Sequence, residues 1–248
     1  MPGHELGGYL AEDVPELGLE RGALVAVEPN GACGHCEWRI EGYGNLCPNV
    51  EFIGAPPLGV ARHAVDLAKP RLIEPVALLG AGPIGLLILQ VLKVAGAGAV
   101  DVVEPLEHRR KAALELGARA LFASVADFVG GEGKGGRPLV VEATNSPLAF
   151  RDAVAAARIG GRVVLTGIPD GDVYTLPAAD ARRRGLKIKF VRRMGDDYAR
   201  GIELVVSGRV DVKAVVTHQA SLARAPDLFA ALAESRPGYL KALLLPNG

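Results

Sequence analysis

The central part of the chain alternates short apolar runs with longer stretches of helical periodicity. Apolar runs of strand length lie at residues 76–80, 99–104, 120–122, 139–143, 162–167 and 186–191. Helical patterns separate several of them, at about residues 59–68, 83–95, 106–116 and 148–158. Parallel strands need crossover connections of this length, usually helices, so the alternation predicts an α/β fold. We expect a doubly wound parallel Rossmann sheet with helices on both faces.

The same pattern divides the chain into three parts. Residues 1–57 are rich in Gly, Pro and acidic side chains, with one strand candidate at 23–29. Residues 58–195 carry the alternation and form the predicted Rossmann domain. Residues 196–248 hold looser signals, from which we predict helices near 198–206 and 226–234 and strands at 215–218 and 239–245.

The stretch "VALLGAGPIG" places a glycine-rich loop directly after an apolar strand and at the start of a helix. Gly80, Gly82 and Gly85 form G-x-G-x-x-G. In this motif the first glycine permits a tight turn, the second lets the backbone approach a pyrophosphate, and the third allows close packing of helix on strand. Pro83 suits the first helical turn, where a missing N–H costs nothing. The loop therefore predicts a dinucleotide site.

An acidic residue stands where such a site contacts the adenosine ribose. Glu104 ends the next predicted strand, 19 residues after Gly85. A carboxylate there accepts the ribose hydroxyls and would repel a 2′-phosphate. Arg109 and Arg110 follow closely and could instead pair with a 2′-phosphate. We expect NAD as the cofactor in preference to NADP.

Three cysteines near the start of the chain have the spacing of an incomplete metal site. Cys33 and Cys36 form C-x-x-C and Cys47 follows eleven residues later, while Arg39 occupies the natural place of a fourth thiolate. The three sulfurs could hold zinc with water, His35 or another neighbour as the fourth ligand. Alternatively, they are reduced thiols in a loop that has lost its ion.

Composition excludes several classes of partner. Lys and Arg total 28, as do Asp and Glu, so there is no bulk electrostatic reason to expect nucleic acid or an anionic membrane as a partner. The longest apolar run is too short and too interrupted to span a bilayer. An odd number of cysteines and a start without signal-peptide character favour the reducing cytoplasm. We therefore expect a cytoplasmic protein.

Taken together, these segments resemble the zinc-containing medium-chain alcohol dehydrogenases, and within them the sorbitol (polyol) dehydrogenase branch. "GHELGG" is similar to the family's G-H-E-x-x-G segment, residues 25–57 to its structural-zinc lobe, "GAGPIG" with Glu104 and Arg109 to its cofactor loop, and "VTHQASL" to its return segment. The resemblance implies that residues 1–57 are a reduced, partly missing GroES-like catalytic domain, which residues 196–248 complete.

The family resemblance also implies a mechanism and a set of site residues. Zinc acts as a Lewis acid on a polyol or secondary alcohol, and hydride passes to nicotinamide. His4 would be a catalytic zinc ligand and Glu5 a neighbouring carboxylate, while Cys33, Cys36 and Cys47 match three of the four structural-zinc thiolates. The implied cofactor contacts are Ile84, Glu104, Arg109, Thr166, Gly167, Val191, Arg192 and Arg193. We also expect a homo-oligomer, a dimer or tetramer.

Two departures from the family pattern favour a shortened relative. The family's first catalytic ligand, a cysteine upstream of G-H-E, has no counterpart in the three residues before His4. A second family stretch, with a Glu-Pro that contributes to the catalytic zinc, is missing between "GAPP" and "LGVARHA". Our primary interpretation is a zinc-dependent, NAD-dependent polyol or alcohol dehydrogenase. The alternative is a non-catalytic NAD-binding relative.

Overall fold

A computed structural model describes residues 5–28, 30–52, 54, 56–176, 178–195 and 198–246. The first part of the chain forms small elements: β1 (Gly7–Tyr9), β2 (Leu24–Ala26), β3 (Asn30–Gly31), α1 (Glu37–Ile40) and β4 (Glu51–Phe52). Strand β1 pairs antiparallel with β2, and β3 pairs antiparallel with β4. Large apolar side chains such as Tyr9, Leu24 and Ile40 are exposed here.

A six-stranded parallel sheet forms the centre of the molecule. Its strands are β5 (Val76–Leu79), β6 (Val100–Val103), β7 (Ala120–Phe122), β8 (Arg137–Glu142), β9 (Ala157–Leu165) and β10 (Lys187–Phe190). In space they run β10-β9-β8-β5-β6-β7, and every neighbouring pair is parallel. The chain moves outward in one direction from β5 through β7 and in the other from β8 through β10. The predicted doubly wound Rossmann sheet is confirmed, with a topological switch point between β5 and β8.

Helices cover both faces of this sheet. They are α2 (Pro57–Ala68), α3 (Pro83–Val94), α4 (Glu107–Glu115), α5 (Val125–Gly130), α6 (Ala149–Ala156) and α7 (Ala178–Arg184). Successive side chains of a strand point to opposite faces, and β5 shows this directly. Val76 and Leu78 join the core cluster that contains residues of α2 and α3, whereas Ala77 and Leu79 join the cluster around Phe128. The core therefore lies in two layers, one on each face.

The last part of the chain adds two helices and a small sheet. Helices α8 (Tyr198–Val206) and α9 (Ala225–Ala233) match the predicted helices closely. Strands β11 (His218–Ser221) and β12 (Ala242–Leu245) pair in parallel. Within the described residues, no helix is both long and apolar enough to cross a membrane.

Two local predictions need correction, and one helix was missed. Helix α6 ends at Ala156 rather than near residue 158, because Ala157 already pairs with Arg137 of β8. The strand predicted at 215–218 lies later, at β11, because the Asp211 carboxylate accepts the amides of Lys213 and Ala214 and starts a turn there. Helix α5 was not predicted, since its six residues are too few to show a clear period.

Candidate functional site

A cleft of about 840 Å³ opens at the carboxyl ends of β5, β6, β8 and β9. Open α/β sheets bind ligands in this place, outside the strand ends at the switch point. The predicted residues that line it are Gly80, Gly82, Pro83, Ile84, Glu104, Arg109, Thr166 and Gly167. The predicted residues that do not line it are Gly85, Val191, Arg192 and Arg193.

The three glycines of the loop meet different surroundings. Gly80 has φ 93°, and a Cβ there would lie 2.6 Å from the carbonyl oxygen of Ala143. A Cβ on Gly85 would lie 2.2 Å from the Gly80 carbonyl oxygen, so both positions require glycine for the backbone itself. At Gly82 the nearest atom to an added Cβ is Arg109 Nη1, 3.9 Å away. The space in front of Gly82 is therefore open, as a bound pyrophosphate would require.

Glu104 lies at the β6 end of the cleft and is 3% exposed. Its Oε2 accepts a hydrogen bond from the Ala81 amide at 2.8 Å, and its Oε1 accepts one from the Leu106 amide at 3.0 Å. The carboxylate thereby fastens the glycine loop to the end of β6. Each carboxylate oxygen has a second lone pair, so ribose hydroxyls could still donate to it.

The two arginines after Glu104 have separate roles. Arg110 Nη1 donates to the carbonyl oxygens of Glu104 and Pro105, at 2.7 Å in both cases, and Arg110 does not line the cleft. Arg109 does line it, and its buried Nε has no hydrogen-bond partner in the described part of the chain. The hydroxyl of Thr166, at the β9 end, is also buried, and none of the described residues is its hydrogen-bond partner. Because buried polar groups are normally paired, these two atoms fit a polar ligand such as a dinucleotide.

Behind the β8 and β9 side of the cleft lies a buried acid that does not itself line the cleft and that the sequence analysis missed. Glu142 ends β8 and has no exposed surface. Its Oε1 accepts the amide (2.5 Å) and hydroxyl (2.7 Å) of Thr144, and its Oε2 accepts the Gly167 amide (3.2 Å). Burial raises the pKa of Glu142, although the hydrogen bonds from Thr144 and Gly167 oppose this.

The loop after β8, residues 143–146, also lines the cleft and was not predicted. The available signal was its place directly after a buried parallel strand, since such loops form the ligand crevice.

The segment at 191–193 does not line the cleft, although Val191 contacts the residue directly before Thr166. The Val191 amide donates to the Leu165 carbonyl at 2.8 Å, and the Arg192 carbonyl accepts from Asn45 Nδ2 at 3.0 Å. Asn45 Nδ2 also lies 3.5 Å from His63 Nε2. Burial lowers the pKa of His63. This region therefore connects the first part of the chain to the Rossmann sheet.

The three cysteines come together as their spacing predicts. Their sulfur atoms all lie within 4.8 Å of one another, and Cys47 is fully buried. The amide of Cys33 donates to Cys47 Sγ at 3.5 Å, and the amide of Arg39 donates to Cys36 Sγ at 3.4 Å.

The thiols of this cluster differ in acidity. A hydrogen bond from the His35 amide is the main cause that lowers the pKa of Cys33 to about 7. The Arg39 amide lowers the pKa of Cys36, but burial and the two neighbouring thiols together raise it above its usual value.

The cluster does not match a closed four-ligand zinc site. No fourth His, Cys, Asp or Glu ligand joins the three sulfurs within the described ranges, and Arg39 occupies the place of the missing thiolate. His35 Nδ1 lies 2.8 Å from the Cys33 carbonyl oxygen, so this nitrogen faces the backbone. A metal ion here would have three sulfur ligands and an open position, unlike the closed structural sites of zinc proteins.

The predicted catalytic metal ligands are only partly described. His4 lies outside the described residues. Glu5 Oε1 forms an ion pair with Lys241 Nζ at 2.7 Å. A catalytic zinc normally has three protein ligands, and the described residues assemble no group of three potential ligands besides the cysteines. The described residues around Glu5 therefore do not fit a catalytic zinc.

Comparisons with known proteins bear on the whole chain. The model of the zinc-binding dehydrogenase family matches residues 83–207. Sorbitol dehydrogenase of Bacillus subtilis (strain 168) is 28% identical over 284 residues, which cover 99% of this chain and 80% of that protein. L-Arabinitol 4-dehydrogenase of Hypocrea jecorina is 27% identical, with 98% and 75% covered. The first alignment is longer than the 248 residues of this chain, so it contains gaps in this chain, as expected for a shortened relative.

A structural comparison agrees. A protein of Sinorhizobium meliloti 1021, whose structure was solved with NADP bound, has a TM-score of 0.86 and 27% identity. The match covers 98% of this chain and 83% of that one. The non-catalytic alternative gains no support, because the matched family and both relatives above are named dehydrogenases. The chain belongs to the zinc-binding dehydrogenase family and is an oxidoreductase.

Proposed function

We propose that the chain binds NAD in the cleft and transfers hydride between nicotinamide and the hydroxyl-bearing carbon of a polyol or secondary alcohol. Oxidation of the alcohol then yields a ketone, NADH and one proton. The observation that carries this proposal is the cleft itself, which has a buried acid at the β6 end and, at the β9 end, a hydroxyl without a partner among the described residues. The polyol assignment rests on the sorbitol and arabinitol dehydrogenases among the relatives.

At the β6 end, Glu104 supports NAD over NADP. Its buried carboxylate lies where the ribose hydroxyls of the adenosine half would donate to it. A 2′-phosphate would be repelled by the carboxylate, and the repulsion is strong because the site is poorly exposed. Arg109 opposes this effect, since its guanidinium lines the same cleft.

At the β9 end, Thr166 and Gly167 would hold the nicotinamide half. The Thr166 hydroxyl lacks a partner in the described part of the chain and could bind a polar group of the cofactor. Walls formed by the loops after β8 and β9 would orient the ring and keep water from the hydride path. Glu5 forms an ion pair with Lys241, so no part of the hydride transfer is assigned to it.

Calorimetric titration with NADH and NADPH tests the cofactor assignment. We expect NADH to bind more tightly than NADPH. Replacement of Glu104 by Ala should reduce the difference between the two affinities. An equal or stronger response to NADPH by the unaltered protein would contradict the assignment.

Turnover is tested with a glycine variant and a matched control. Gly82→Val should abolish NADH binding and sorbitol-dependent reduction of NAD while the fold survives, because the side chain would enter open space where the pyrophosphate approaches. Gly130→Val also adds a side chain in open space, but away from the cleft, and should keep both activities. If Gly82→Val still binds NADH, the proposal that this cleft binds the cofactor is wrong.

A further inference from the structure

We propose that Glu142 is a positioning residue for the nicotinamide half of the cofactor, because its buried carboxylate fixes two cleft loops relative to each other. One loop follows β8 and contains Thr144, and the other follows β9 and contains Gly167. The inference rests on the proposed binding of NAD in the cleft. It assigns Glu142 no contact with the cofactor itself.

The hydrogen bonds of Glu142 divide between the two loops. Oε1 accepts the amide and the hydroxyl of Thr144, at 2.5 and 2.7 Å, and Oε2 accepts the Gly167 amide at 3.2 Å. The Thr144 hydroxyl in turn accepts the Ser146 amide at 3.2 Å, so its own hydrogen is free to be donated to Glu142. All of these donors require an acceptor, and an ionised carboxylate offers acceptors on both oxygens.

The Gly167 peptide is held from both sides. Its amide donates to Glu142, and its carbonyl oxygen accepts the Tyr174 hydroxyl at 2.5 Å. An added Cβ on Gly167 would lie only 1.8 Å from the Thr144 carbonyl oxygen, so the two loops are in close contact. The contact leaves little freedom to Thr166, the neighbouring residue whose buried hydroxyl has no partner among the described atoms.

The sheet order assigns these loops to the nicotinamide half. Glu104 follows β6, on one side of the switch point, whereas Thr144 and Gly167 follow β8 and β9 on the other. A dinucleotide crosses the switch point with one nucleotide on each side. If the adenosine half lies against Glu104, the nicotinamide half lies against the loops that Glu142 holds.

The hydrogen-bond partners of this carboxylate all belong to the cleft loops. A buried charge costs free energy unless it is paired and hydrogen-bonded. Asp101, the comparable fully buried acid, has two arginine partners. Glu142 has no cationic partner within four ångströms in the described residues, and its donors belong to Thr144 and Gly167 of the cleft wall. Its burial is therefore compensated by the arrangement of the cleft loops themselves.

The test compares NADH with ADP-ribose, which lacks the nicotinamide ring, by calorimetric titration of Glu142→Gln. Glutamine has the same shape, but its NH₂ would face a donor on one of the two loops. We expect the Kd of NADH to rise about tenfold, because binding would then have to restore a loop arrangement that a hydrogen bond to a charged group had fixed, and that of ADP-ribose to stay within about twofold. The matched control is Asp101→Asn, a buried acid away from the cleft, which should lower thermal stability but change neither Kd.

The possible results separate the inference from the function on which it rests. Equal weakening of both ligands in Glu142→Gln, or no weakening of either, would overturn the positioning role. If Glu142→Gln does not fold, Tyr174→Phe serves as the second variant, because it removes the hydrogen bond to the Gly167 carbonyl oxygen. It should weaken the binding of NADH but not that of ADP-ribose, and unchanged NADH binding would then refute the inference. Failure of the unaltered protein to bind either ligand would refute the proposed function itself, and this inference with it.

Discussion

Replacement of Asp101 by Asn should be among the most destabilising changes in the sheet that leave the cleft untouched. Asp101 lies in β6 and has no exposed surface. Arg119 Nε and Nη2 both approach its Oδ1, at 2.7 and 2.5 Å, and Arg137 Nε and Nη2 approach its Oδ2, at 2.7 and 2.6 Å. Each guanidinium group thus contacts one of the two carboxylate oxygens of Asp101 through two of its nitrogen atoms.

The expected loss of stability follows from how deeply Asp101 and its two arginine partners are buried. Removing one partner of a buried ion pair costs about 3–5 kcal/mol, because the other charge is left without compensation. Here the Arg137 side chain is 14% exposed and the Arg119 side chain 41% exposed, so water can rehydrate part of the freed charge. We therefore expect the free energy of unfolding to fall by about 3 kcal/mol, the lower end of that range. For a chain of this length, that corresponds to a decrease in Tm of about 6–12 °C.

The assay is urea and thermal unfolding of Asp101→Asn, with Arg119→Ala as the matched variant. Arg119→Ala should cost only about 1 kcal/mol, because Asp101 keeps Arg137 and the lost contact to Glu132 is a surface pair. Binding of NADH should be unchanged in both, since neither residue lines the cleft. A loss below about 0.5 kcal/mol for Asp101→Asn, typical of ordinary surface positions, or a larger loss for Arg119→Ala, would refute this reasoning.

Two further predictions concern titratable groups. Burial lowers the pKa of His63 in the folded state, so the unfolded chain takes up a proton first as the pH falls below about 6.5. Stability from this residue is therefore present above that pH and lost below it, and His63→Gln should unfold with a weaker pH dependence in urea titrations between about pH 7 and 5; an identical dependence would contradict this. On metal-stripped protein, Cys33 should react with iodoacetamide before Cys36, with a midpoint near pH 7. Mass spectrometry of the labelled peptides checks this, and a Cys33 midpoint near about 8.5, the value of a free thiol, would argue against it.

The sequence predicts the fold well because parallel strands buried on both faces leave a strong signal. All four residues of β5 are buried, and so are all four of β6. Burial on both faces produces the apolar runs that predict strands, and in β6 only Asp101 interrupts the run. Glycine spacing and the acid after the second strand then locate one half of the cleft, since both features lie close together along the chain. Cys33, Cys36 and Cys47 are equally local, and their sulfur atoms do converge.

The other half of the cleft could not be predicted in the same way. Glu142 stands inside an apolar run and looks like an interruption of a strand. Its partner Gly167 is 25 residues away along the chain, and only the adjacency of β8 and β9 brings the two together. The placement of residues 191–193 near nicotinamide rests on a family motif and stays a prediction. These residues do not line the cleft, and their contacts include Asn45 and Leu165.

Glu104 has a consequence for any attempt to change the cofactor preference by engineering or by natural variation. The same carboxylate that would discriminate against a 2′-phosphate also accepts the amides of Ala81 and Leu106. A substitution such as Glu104→Ala, which removes both acceptor oxygens with the charge, therefore also removes the anchor of the glycine loop, and cofactor selectivity and loop order change together. Mutational routes toward NADP should pass through glutamine, which removes the charge but keeps one of the two acceptors, before smaller residues that keep neither become tolerable.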